Sequence, residues 1–149
     1  MKSLKNNQKG TTAVELALVL PVLLTLIFGM IELSLFFFNK HILANAAGEG
    51  ARAGSIIRAV EKDGSIVSSD EDKRIKDKVK LYAKGHLVTF DNEVFDDDNI
   101  AIFPPAPDRD TFFFGDDLEV KVEYEYKFLY LDPLLGPITI KASANMRME

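Results

Sequence analysis

Apolar and polar positions divide the chain into a short polar start, one long apolar run and a mixed body. Residues 1–10 are polar, and their only charged side chains are Lys2, Lys5 and Lys9. An apolar run then covers residues 16–38, with one charge at Glu32. As a helix that rises about 1.5 Å per residue, it is roughly 33 Å long, close to the ~30 Å core of a bilayer. We therefore predict a transmembrane helix over residues 11–38.

The helical pattern continues beyond the apolar run. Apolar positions recur at spacings of three and four residues up to Val60, and a helix end is predicted around residues 62–64. Small side chains dominate between residues 44 and 54. Because such residues let another backbone approach closely, we interpret the glycines as helix-packing positions, and Arg52 as an ion-pair partner at the surface or a sheet edge. The glycines are Gly48, Gly50 and Gly54. Their partner is a sheet of the same chain, which we favour, or a second subunit.

The body, residues 39–149, also contains a second, short helix and three strands. The short helix begins at Ser68, which with Glu71 fits a capping box, and ends near Gly85. The strands are predicted over residues 99–103, 118–130 and 138–148. Proline and glycine in the link over residues 132–137 make the last two strands an antiparallel pair.

The last two strands alternate apolar and polar residues, which indicates a sheet with one wet face and one face that needs a cover. The residues predicted to point inward are Leu118, Val120, Val122, Tyr124, Tyr126, Phe128, Ile138, Ile140, Ala142, Ala144 and Met146. The small-residue half of the first helix is the obvious cover. The predicted fold class is therefore α+β, with a long N-terminal helix packed on a small antiparallel β-sheet and a second short helix.

Charge and composition exclude several kinds of function. The net charge is -5, and of the 23 acidic residues only Glu15 and Glu32 precede Asn39. The body is therefore acidic and has no electrostatic basis for binding nucleic acid. The chain contains no cysteine, which excludes disulfides, thiolate catalysis and cysteine metal sites.

No residue pattern supports catalysis or a cofactor. His41 and His86 are the only histidines, and there is neither a nucleophile elbow nor a glycine-rich phosphate loop. The acidic residues between positions 91 and 98 lack the EF-hand spacing for calcium, and we interpret them as a solvated loop. We expect no enzyme activity, no metal and no cofactor. Phenylalanines at residues 112–114 and leucines at residues 134–135 are candidates for contact with a partner.

Gly10 and Glu15 form the most informative spacing in the chain. A carboxylate that enters hydrocarbon costs a few kcal/mol, so Glu15 should have a partner or a function. Gly10 lets an enzyme approach the backbone closely, and cleavage after it would leave an ammonium group on Thr11. That ammonium could pair with Glu15 of a neighbouring subunit. The alternative is an interfacial glutamate whose carboxylate reaches the lipid headgroups.

The two ends of the membrane helix predict its orientation. By the positive-inside rule, the lysines of residues 1–10 place the N-terminus in the cytoplasm and the body outside. Glu32 then lies near the outer face of the bilayer. It is either an acid that reaches the headgroups or a pairing site for another subunit.

These features resemble those of the TadE-like family, the minor pilins or pseudopilins of tight-adherence (Tad, Flp) pilus systems. The resemblance rests on KGTTAVELALVLPVLLTLIFGMIELSLFF, where a glycine precedes the cut and a glutamate lies five residues after it. The "VLP" and "IE" within that stretch, the small-residue segment NAAGEGARAG and the C-terminal IKASANMRME add to it. One position departs, since Leu16 stands where related pilins often have an aromatic residue.

The resemblance implies a pilin-like fold and a structural or priming subunit in assembly of a Tad (type IVc, Flp) adhesive pilus. It implies that a prepilin peptidase removes residues 1–10. The expected partners are other pilins or pseudopilins, the prepilin peptidase, an inner-membrane assembly platform and membrane lipid. The expected location is the inner membrane, with a periplasmic or extracellular body, and the resemblance allows the protein to be incorporated in the pilus.

Two other functions fit the residues. One is an uncleaved single-pass membrane protein whose outer domain binds an envelope component or a ligand. The other is a secreted enzyme released after Ala46, because Ala44-Asn45-Ala46 satisfies the small-x-small pattern of signal peptidase. The apolar stretch is, however, about twice as long as the 7 to 15 residues of a secretory signal.

Overall fold

A computed structural model describes residues 7–55, 68–90, 95–105 and 117–147, with the side chains of residues 7–9 and 68–70 left undescribed. Its helices are α1 (Asn7–Ser55), α2 (Ser68–His86) and α3 (Asp132–Leu135). Its strands are β1 (Ile100–Phe103), β2 (Asp117–Tyr126) and β3 (Ile138–Arg147), and a 3-10 turn at Asp97–Asn99 precedes β1. The end predicted for the first helix, near residues 62–64, lies outside the described residues. The side chain of Ser68, which was predicted to form a capping box with Glu71, also lies outside them.

α1 is one continuous helix of 49 residues that includes Pro21. Proline cannot donate a backbone hydrogen bond, and a helix usually bends where one is inserted. The hydroxyl of Thr25 donates to the carbonyl oxygen of Pro21 at 2.8 Å, and that of Ser34 to the carbonyl oxygen of Met30 at 2.8 Å. The helix passes from the predicted membrane segment into the body without a break at residue 38.

The three strands form one antiparallel sheet in the order β1-β2-β3. Val120 of β2 lies opposite Ile102 of β1 and Ala144 of β3, so β2 is the central strand. Apolar residues of β2 alternate onto one buried face, as their spacing predicts. Helix α1 packs against β2 and β3 on that face, and α2 packs against α1.

Two details of the sheet differ from the sequence prediction. β2 ends at Tyr126 and not at Tyr130, because residues 127–131 leave the strand ladder and run beside α1. Ile138 was predicted to point into the core, but it is 37% exposed. It pairs with Tyr126 at the very end of the β2–β3 ladder, and because Tyr126 is itself buried, the exposure is confined to the edge strand β3. Ile140, one alternation further along, is buried.

The core lies between the second half of α1, the inner face of α2 and the sheet. Its fully buried side chains are Leu43, Ala46, Ala47, Ala51, Val79, Ala83, Leu118, Val120 and Val122. The α+β prediction is confirmed: a long N-terminal helix covers a small antiparallel sheet, and a second short helix completes the layer.

Candidate functional site

The first half of α1 presents an uncovered apolar surface. Every residue from Gly10 to Ile31 is exposed except Gly29, which is partly covered. The most apolar window of the helix has a mean hydropathy of 2.5, and none of it is buried. At about 1.5 Å per residue, residues 10–31 are about 32 Å long, which matches the ~30 Å hydrocarbon core. This length and exposure support anchoring by a single membrane span.

The body begins to cover α1 at Glu32, which is 4% exposed. Its two carboxylate oxygens accept hydrogen bonds from the backbone N–H groups of Tyr130 and Leu131, each at 2.9 Å. These donors immediately precede α3, a single helical turn whose N-cap residue is Leu131. The sequence predicted either a headgroup-seeking acid or a pairing site for another subunit. The structure instead gives Glu32 a partner in its own chain, because the β2–β3 connection folds back onto α1.

Asn39 makes a second polar link of the same kind. It is fully buried, its amide Nδ2 donates to the carbonyl oxygen of Val88 at 2.7 Å, and its Oδ1 accepts from the Val88 N–H at 3.0 Å. The sequence reading did not single out Asn39. A signal was available, since Asn39 lies seven residues after Glu32 and seven before Ala46, on one face of the helix.

Gly10, Thr11 and Glu15 all lie within the exposed start of α1, which begins at Asn7. A Cβ atom added at Gly10 would meet nothing within 4 Å. Glu15 is exposed, and it has no hydrogen-bond or ion-pair partner among the described residues. It lies four residues, or about 6 Å of helix rise, after Thr11. Residues four positions apart share one face of a helix, so Thr11 and Glu15 lie on the same face. Helix side chains also lean toward the N-terminus, which directs the Glu15 side chain toward Thr11.

The predicted packing glycines divide into two groups. A Cβ atom at Gly50 would collide with Val79 of α2, and one at Gly54 would collide with Leu118 of β2 and lie 2.6 Å from Ile75 Cδ1. These two glycines therefore allow close packing within the chain. Gly48 does not take part in this contact, since an added Cβ would meet nothing within 4 Å.

Arg52 points away from the packed face of α1. Its guanidinium lies 3.5 Å from the carboxylate of Glu49, one helical turn earlier, and both side chains are mainly in solvent. An exposed pair of this kind contributes little to stability. Arg52 is thus a surface residue of the helix.

The part of the acidic loop that the structure describes is used structurally. Asp96 caps the 3-10 turn by accepting from the Asp97 N–H at 2.9 Å. Asp97 pairs with Lys80 of α2 at 2.6 Å, and that hydrogen bond raises the pKa of Lys80 and lowers the pKa of Asp97. The described ranges contain no cluster of three or more possible metal ligands. Residues 91–94 and 112–114 lie outside those ranges.

Comparison with known proteins supplies the deciding observation for the helix. A model of the TadE-like protein family matches residues 10–52. This segment is TadE-like. The resemblance seen in the sequence is therefore confirmed over the part of the chain that holds Gly10, Glu15, Glu32 and Asn39. No curated protein and no solved structure matches the chain.

The TadE-like segment ends at Arg52, so it covers the exposed half of α1 and most of the half that packs on the body. The match associates the protein with Tad pilus components in general. The sheet, α2 and the β2–β3 connection lie beyond the matched residues.

Proposed function

We propose that this protein is a minor pilin or pseudopilin, a structural or priming subunit in assembly of a Tad adhesive pilus, without enzyme activity. One observation supports this most strongly: a single TadE-like helix is uncovered and apolar over one half and forms the spine of a folded body over the other. Such a subunit can move from bilayer to filament core, because both surround its exposed half with apolar groups.

In this proposal a prepilin peptidase cleaves after Gly10. The helix begins at Asn7, so the peptidase has to unwind its first turn to reach the Gly10–Thr11 bond. Glycine is well suited to that position because it destabilises a helix and leaves the backbone accessible. The partners are other pilins or pseudopilins, the peptidase, the inner-membrane assembly platform and lipid. The N-terminus is cytoplasmic and the body lies outside the inner membrane.

Cleavage leaves an ammonium group on Thr11, at the start of the apolar half of α1. Glu15 of a neighbouring subunit is the expected counter-charge. Thr11 and Glu15 also share one helix face, so the carboxylate can hold the ammonium of its own chain before subunits meet. Either pairing offsets the cost of placing Glu15 in hydrocarbon, which is a few kcal/mol when the charge is unpaired.

The experiment that tests processing uses two matched glycine variants. The purified full-length chain in detergent is treated with prepilin peptidase, and the product is measured by intact mass. We expect the wild type to lose residues 1–10 and Gly10→Ala to stay uncut. Gly29→Ala is the control, because an added Cβ meets nothing within 4 Å at either glycine, so neither change disturbs the chain's own packing.

Two results would contradict this proposal. One is a wild type that keeps Lys2 to Lys9 in the presence of active peptidase, which favours an uncleaved membrane protein. The other is cleavage of Gly10→Ala at the wild-type rate. Protein recovered from cells with a mature N-terminus near Ala47 would instead support release by signal peptidase. Against that release, Ala46 and Ala47 are fully buried inside α1, and a cut between them would sever the core helix.

A further inference from the structure

We propose that the β2–β3 connection and Phe90 form a second membrane contact, an apolar collar that lies in the outer lipid leaflet beside α1. The collar consists of Phe90, Leu129, Tyr130, Leu134 and Leu135. The inference rests on the membrane anchoring that the proposed function includes. It concerns a surface outside the TadE-like segment, and its partner is lipid and not another protein.

The collar is apolar and exposed. Leu134 is 80% exposed, Leu129 69%, Leu135 51%, Tyr130 49% and Phe90 47%. Between Phe128 and Ile138 the sequence FLYLDPLLGPI holds a single charge, at Asp132. Soluble proteins rarely expose so many large apolar side chains together unless the surface has a partner.

The position of the collar along α1 indicates what that partner is. The hydroxyl of Tyr130 lies 3.3 Å from the hydroxyl of Thr25, and its ring centroid lies 5.6 Å from that of Phe28. The uncovered half of the helix extends to Ile31, about 9 Å further along the axis at 1.5 Å per residue. The connection therefore overlaps the outer end of the predicted membrane span.

This overlap matches the depth of known interfacial structures. Apolar side chains of peripheral elements enter the boundary between headgroups and acyl chains by about 5–10 Å. With residues 10–31 in the bilayer, the Tyr130 hydroxyl lies about 9 Å inside the outer end of the span, where the hydroxyl of Thr25 is its hydrogen-bond partner.

The connection is fixed to the helix at this level. The Glu32 carboxylate binds the backbone N–H groups of Tyr130 and Leu131. About 10 Å further along α1, Asn39 binds Val88 and so fixes the segment that leads to Phe90. Phe90 and Leu129 also flank an apolar groove of about 210 Å³ against Phe28 and Ile31 of α1. Glu32 also lines this groove, with its carboxylate bound to backbone N–H groups. Because Phe28 and Ile31 are exposed on the lipid-facing half of α1, an acyl chain can reach the groove from the bilayer.

A single-tryptophan experiment tests the collar, because the natural chain has no tryptophan. Three full-length variants are reconstituted into phosphatidylcholine vesicles with or without bromine on the shallow acyl carbons. Leu134→Trp reports on the collar, and Leu18→Trp, at a 71% exposed position of α1, reports on the membrane span. Asn145→Trp is the control, since it is exposed and lies near the opposite end of the β2–β3 pair.

We expect brominated lipid to remove most of the fluorescence of Leu134→Trp and Leu18→Trp, and to leave Asn145→Trp unchanged. Quenching of Leu18→Trp alone would overturn the collar and leave the anchoring of the proposed function intact. No quenching of Leu18→Trp would overturn both.

Discussion

Two polar side chains, Glu32 and Asn39, hold the body onto the membrane helix, and both bind backbone groups. Glu32 stands out in the sequence as a charge within an apolar run, so its importance could be predicted. Its partners could not, because the donors are the backbone N–H groups of Tyr130 and Leu131, far along the chain. A backbone group has no signature in the sequence. Asn39 has a weaker signal, the seven-residue spacing from Glu32 and Ala46, and an asparagine side chain is usually exposed.

Replacing Glu32 by glutamine should destabilise the body. Glutamine keeps one acceptor oxygen, but its NH₂ group faces the second backbone N–H, which is also a donor. Hydrogen bonds to charged groups are worth about 1.5–3 kcal/mol, so we expect the free energy of unfolding to fall by about 2 kcal/mol or more. Urea unfolding of the full chain in detergent micelles, followed by tyrosine fluorescence, measures this change.

Glu49→Gln is the matched control on the same helix. Glu49 is exposed and pairs with Arg52 at the surface, so its loss should change the unfolding free energy by no more than about 0.5 kcal/mol. Equal effects of the two variants would show that the bonds of Glu32 to the β2–β3 connection do not stabilise the fold.

At the scale of elements, the sequence predicted the sheet and the helix that covers it, because both follow from a regular period. The two-residue alternation of β2 places Leu118, Val120 and Val122 on the buried face. The alternation did not predict the exposure of Ile138 or the end of β2 at Tyr126. β2 ends there because the residues that follow it contact α1. The glycines of α1 could be recognised as packing positions, but Gly48 could not be separated from Gly50 without the fold.

The two glycines give opposite predictions for alanine. At Gly50 an added Cβ collides with Val79, a stiff β-branched side chain that is fully buried. Overpacking of this kind costs about 1–3 kcal/mol, which exceeds the ~1 kcal/mol that alanine gains in helix propensity. We therefore expect Gly50→Ala to lower the free energy of unfolding in the same urea experiment.

Gly48→Ala should raise it by up to about 1 kcal/mol, because alanine brings its helix propensity and meets no neighbour within 4 Å. The two glycines belong to the same helix and differ in their surroundings, because Gly50 faces Val79 of α2 and Gly48 does not. A larger loss of stability for Gly48→Ala than for Gly50→Ala would contradict the packing of the Gly50 face of α1 against α2.

At the scale of the whole molecule, one helix serves two environments. Residues 10–31 are uncovered over a length that suits a bilayer, and from Glu32 onward the same helix is the centre of a folded body. The sequence predicted this division at residue 38, whereas cover begins at Glu32. The shift arises because the β2–β3 connection reaches back along α1, and the apolar run alone contains no information about that contact.

We propose that this molecule is a subunit of a Tad pilus and that its membrane helix enters assembly through Glu15. The most direct test deletes the gene in cells that make the pilus and complements the deletion with wild-type protein or with Glu15→Gln. Surface pili are then counted by electron microscopy in the deletion strain and in both complemented strains. Wild-type protein should restore pili. Glu15→Gln should insert into the membrane in normal amount, since it carries no charge into hydrocarbon, yet leave the cells without pili. Normal piliation in the deletion strain, or full rescue by Glu15→Gln, would contradict this account.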